Sequence, residues 1–88
     1  MDKKAILASE VKNLNRRVFT ISEKYPDLLV NPTTKNMYLA YVKQMKTLFP
    51  ENEEVQNLSE EIEQPFDYVD LSNLMGHLVA LLNFLLKR

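Results

Sequence analysis

Cysteine is absent from these 88 residues, so the fold has no disulfide staple and no thiolate metal site, which suits a reducing compartment. Glycine occurs once, at Gly76, which rules out a glycine-rich phosphate loop. Histidine also occurs once, at His77, and prolines stand only at 26, 32, 50 and 65. So little punctuation leaves long uninterrupted segments, a helical composition. The longest early apolar run, "AILA" at residues 5–8, is shorter than the roughly 7 to 15 residues of a secretory signal core, and the expected location is cytoplasmic.

Apolar residues make up 45% of the chain and charged ones 26%, proportions of a folding rather than a disordered chain. At this length residues 1–88 form one domain with one small core, and oligomerisation or a partner is a common supplement to its stability. Charge is divided unevenly. Residues 1–49 carry nine Lys/Arg against four Asp/Glu, and residues 50–88 carry two against eight, for a net charge of -1. One molecule can therefore present a basic and an acidic face.

Leu7, Val11, Leu14, Val18, Ile21 and Tyr25 recur at spacings of four and three, which predicts a helix over 3–24 that Pro26 ends. Asn31 as N-cap and Pro32 at the first helical position open a second helix over 32–49. Its apolar side holds Met37, Tyr38, Tyr41, Val42, Met45, Leu48 and Phe49, opposite Lys35, Lys43 and Lys46. A third, glutamate-rich helix is expected over 51–63 on the narrow stripe Val55, Leu58 and Ile62. "PFDYVD" then reads as an extended connector whose Phe66, Tyr68 or Val69 plugs the core, with Asp70 capping a last helix over 70–87. The expected fold is all-α, a compact bundle of about four helices with antiparallel neighbours; the alternative is a six-helix, death-fold-like arrangement, which would need a break in the first helix.

"LSNLMGHLVALLNFLLKR", residues 71–88, raises the question of a membrane. Leu71 to Leu86 would rise only about 24 Å against a hydrocarbon core of about 30 Å, and Ser72, Asn73, His77 and Asn83 interrupt it, so no membrane span is expected. Its other side carries a small-residue strip, Ser72, Gly76 and Ala80, and beside that Asn73, His77, Ala80 and Phe84 at helical spacing. Asn73, His77 and Phe84, with Phe19 off the seam of the first helix, are the candidate partner contacts.

Catalytic chemistry is thinly supplied. His77 has no Glu or His at ligand spacing on its own helix, and no Glu-x-x-His motif occurs. Glu51/Glu54 and Glu60/Glu63 stand one turn apart without a calcium loop, as on a solvated acidic face. No catalytic residue, metal ligand or cofactor is expected. Lys12, Arg16 and Phe19 share an outward stripe of the first helix, and with Arg17, Lys43 and Lys46 they make a candidate basic face for phosphate and base contact. The leading expectation is a non-enzymatic protein-interaction module, an adaptor, regulator or small subunit that assembles with itself or another protein through amphipathic helix faces. A nucleic-acid-associated regulator using the basic face is the alternative.

Overall fold

The computed structural model describes residues 2–62 and 66–87. It is 75% helical. Four helices occur among the described residues: α1 (Lys3–Lys24), α2 (Pro32–Leu48), α3 (Glu53–Gln56) and α4 (Tyr68–Leu86). The chain fills 37 × 22 × 19 Å, and α1 against α4 is its most extensive helix contact. The six-helix alternative is not found, since α1 runs unbroken for 22 residues.

Buried apolar side chains form one cluster. From α1 come Leu7, Val11, Leu14 and Val18, four of the six stripe positions; Ile21 is half-buried and Tyr25 is exposed. Tyr25 escapes burial because the helix has already ended, with its own amide closing the last turn on the Ile21 carbonyl at 2.8 Å. Ser22 takes the buried place, and its hydroxyl donates to the Phe19 carbonyl at 2.7 Å, which removes the cost of an unpaired polar group. Asn31 caps α2 as expected, its side chain accepting the Thr34 amide at 2.7 Å, and Pro32 follows as the first helical residue. That helix stops at Leu48, with Phe49 as its C-cap.

Two expectations change. The third helix is a single turn, Glu53–Gln56, and not 51–63; Glu63 lies outside the described residues. Only Val55 of its stripe is fully buried, while the Ser59 hydroxyl both donates to the Glu61 carbonyl and accepts the Glu61 amide, offering the backbone an alternative to helix. The last helix begins at Tyr68, with Asp67 rather than Asp70 as N-cap. Asp67 accepts the Asp70 amide at 2.9 Å and Asp70 accepts the Asp67 amide at 3.4 Å, so the two carboxylates form a reciprocal capping box. Phe66 and Tyr68 do plug the core, whereas Val69 points outward.

Asp67 also makes an isolated antiparallel bridge with Leu29. The Tyr68 amide donates to the Leu28 carbonyl at 3.0 Å and the Val30 amide to the Phe66 carbonyl at 2.9 Å, tying the α1–α2 connection to the start of α4. Because α4 starts three residues before Leu71, it reaches 19 residues and is, by length and composition, the one helix among the described residues able to cross a membrane. Its buried side chains, Tyr68, Leu71, Met75, Leu78, Leu81 and Leu82, all lie on one side and close the core.

Candidate functional site

The outer side of α4 is open. Asn73, Gly76, His77, Ala80, Asn83 and Phe84 are exposed there, and a Cβ built on Gly76 would meet nothing within 4 Å, so among the described residues nothing packs on Gly76. His77, Ala80, Leu81 and Phe84 line a shallow hollow of about 280 Å³ together with Glu54 of α3. The fold thus joins His77 to Phe84 and adds a carboxylate that sequence spacing could not assign. Asn73 lines neither this hollow nor its neighbour of about 320 Å³, where His77 meets Tyr38, Phe66 and Asp70. Phe19, 53% exposed, belongs to the opposite end of the molecule: it sits near the end of α1, while Leu85 beside Phe84 shares a hollow with Lys4 at the start of α1.

A second exposed group escaped the sequence reading. Tyr25, Leu28 and Leu29 of the α1–α2 connection and Val69 of α4 are 61%, 50%, 57% and 40% exposed, and the bridge between Leu29 and Asp67 holds the two segments side by side. The only signal was two leucines in a "PDLL" turn, where the Leu28 amide closes on the Tyr25 carbonyl at 3.1 Å. Large apolar side chains concentrated on a hydrogen-bonded platform are characteristic of a contact surface.

The candidate basic residues have different neighbours. Lys46 pairs with Glu60 at 3.3 Å, neutralised by the acidic segment. Lys43 lies with Lys3 at the mouth of an open groove of about 400 Å³ floored by Ile6, Leu7 and Leu48. Arg17 and Glu10 stand beside Tyr41 of α2. Lys12 and Arg16 are exposed and leave α1 about 100° or more of helical rotation away from Arg17. Burial raises the Tyr41 phenol above its ordinary value, the charge and hydrogen bond of Glu10 add to that, and Arg17 opposes it; Tyr38 is raised by burial alone.

Among the described residues no three His, Cys, Asp or Glu side chains come close enough together to hold a metal ion. Within the same residues every buried side-chain nitrogen or oxygen has a hydrogen-bond partner. Comparison with protein-family models, with curated proteins and with solved structures found no match.

Proposed function

We propose that this chain is a non-enzymatic protein-interaction module, a small subunit, adaptor or regulator working in the cytoplasm, whose helix faces assemble with protein. The observation that carries this is the exposed apolar group Tyr25, Leu28, Leu29 and Val69, fixed in place by backbone hydrogen bonds instead of lying on a loose loop. The α4 strip of Asn73, His77 and Phe84 is the second contact surface. Self-association is the simplest form, because a core this small leaves apolar area uncovered.

Within the bundle we take α1 to run antiparallel to both α2 and α4. Support comes from Lys3 and Leu7 sharing a groove with Lys43 and Leu48, from Lys4 sharing a hollow with Leu85, and from Leu28 bonding to Tyr68. We also take α4 to be a core helix and not a membrane span, because Tyr68, Leu71, Met75, Leu78, Leu81 and Leu82 are buried in this chain's own core. Nucleic-acid binding has less support, since Lys46, one of the cations that would carry it, is already paired with Glu60 and the chain's net charge is -1.

Sedimentation over micromolar to millimolar concentration, together with uptake of a dye that fluoresces on apolar surface, tests the assignment. Association or dye uptake that falls in Leu28→Ser/Leu29→Ser, with helical content unchanged, is the expected result. A strict monomer that takes up no dye overturns it.

A further inference from the structure

The two ends of the molecule differ in charge while both expose apolar surface. At one end the groove is lined by Ile6, Leu7 and Leu48 with Lys3, Lys43, Gln44 and Thr47, and among the described residues no carboxylate lines it. Asp2 keeps its charge while capping α1 by accepting the Lys4 amide at 2.9 Å, and Glu51 lines the adjoining hollow with Lys4 and Leu48, so the ammonium groups of Lys3, Lys4 and Lys43 stand against two carboxylates at this end. At the other end Leu28 and Leu29 are exposed and follow Asp27 in the chain, and the bridge from Leu29 brings in Asp67, whose capping partner is Asp70. Glu23 adds a fourth carboxylate there, against the two ammonium groups of Lys24 and Lys35. About 33 Å of helix separates Lys3 from Lys24, nearly the full 37 Å length of the molecule.

Tip against tip would set Asp27 near Asp27, and groove against groove would set lysine near lysine; like charges at a contact oppose both symmetric pairings. Tip against groove places leucine side chains over an apolar floor and carboxylates near ammonium groups. Resting on the protein-interaction assignment above, we infer that the occupant of the Lys3/Lys43 groove is the Leu28/Leu29 tip of a second copy of this chain, in a head-to-tail contact. Each pair joined end to end keeps one unused groove and one unused tip, so the assembly grows past a dimer, as an open chain or, where the rotation closes, a ring; a two-fold dimer would need the copies side by side.

The full chain is measured by sedimentation across a wide concentration range at low and high salt. The average mass rises past that of a dimer, and association weakens at least severalfold when molar salt shortens the screening length from about 10 Å to about 3 Å. Lys3→Glu/Lys43→Glu removes the groove and Leu28→Ser/Leu29→Ser removes the tip; each variant alone loses association by about fivefold or more. Mixed together they form a one-to-one dimer that grows no further, because only one intact groove and one intact tip remain. Circular dichroism establishes that each variant is folded, and Lys43→Gln with Asp27→Asn serves as the milder pair if either is not.

A wild-type mass that levels at a dimer overturns end-to-end joining, mixed variants that stay monomeric overturn the tip-in-groove contact itself, and either leaves the broader assignment standing. A strict monomer that still takes up the dye has the same meaning. A strict monomer without dye uptake overturns both.

Discussion

The α1–α4 seam and the acidic stretch from Pro50 to Ile62 use the same kinds of residue to opposite effect. Along the seam, Val11, Leu71, Met75, Leu78 and Leu82 lose all solvent contact, and each helix persists for about five or six turns. In the acidic stretch only Val55 is fully buried, and helix lasts one turn. The glutamates do not prevent helix; what is missing is an apolar face wide enough to offset the entropy of ordering the backbone. The stretch is held instead by local polar groups. Asn52 accepts the Val55 amide at 3.0 Å, and the Gln56 side-chain amide donates to the Lys46 and Phe49 carbonyls at 3.0 and 3.1 Å, satisfying acceptors that the end of α2 leaves unpaired.

The contrast can be broken by substitution. Leu82→Ala in the seam should cost about 2–5 kcal/mol of global stability, read from the urea midpoint. Val55→Ala should cost about 2 kcal/mol, and its signature should be local: amide exchange at Asn57 and Leu58, which bond to Glu53 and Val55, accelerates far more than exchange in the seam. If both substitutions lowered protection everywhere equally, the two regions would be one cooperative unit and the distinction would fail.

Alkaline titration sharpens the comparison from the α2 side. The Tyr38 and Tyr41 phenols are both raised above 10.0, so the folded state holds their protons more tightly than the unfolded chain does. Their contribution to stability is complete below pH 10.0 and is lost as pH climbs from there through the raised folded-state values. Tyr38→Phe should make the fall in urea midpoint above that pH shallower. Removing the cap in Asp67→Ala should cost about 1 kcal/mol and fray the first turn of α4, visible as faster exchange at Asp70. Smallest of all, Glu60→Gln should change the midpoint by less than about 1 kcal/mol, since the Lys46–Glu60 pair is partly exposed; a larger loss would mean that the acidic stretch is anchored by charge and not by Val55.

How legible each element was follows from the range of the forces that set it. The α1 stripe and the Asn31–Pro32 start of α2 are encoded within a few residues, and both could be read directly. The start of α4 could not, because Asp67 and Asp70 are both competent caps, and burial of Tyr68 in a core built from distant residues selects the first. The length of α3 was overestimated because its stripe has the right spacing and too little area. Among the candidate contacts, His77 and Phe84 were placed together by helical spacing, while the Leu28/Leu29 tip and the Lys3/Lys43 groove exist only through contacts between segments far apart in sequence.

The principal helix contact joins α1 to α4, segments about 40 residues apart in the chain, and this bears on how the protein reaches its native state. Bundles whose partners are adjacent in sequence close short loops and fold within microseconds to milliseconds. Here the largest apolar gain arrives only after a long loop has closed, so folding should be slow for an all-helical chain of this size. During synthesis α1 waits with its stripe uncovered until α4 is made, and the hydrogen bonds linking Leu28 and Val30 to Phe66 and Tyr68 are placed where they can clasp that loop at its neck.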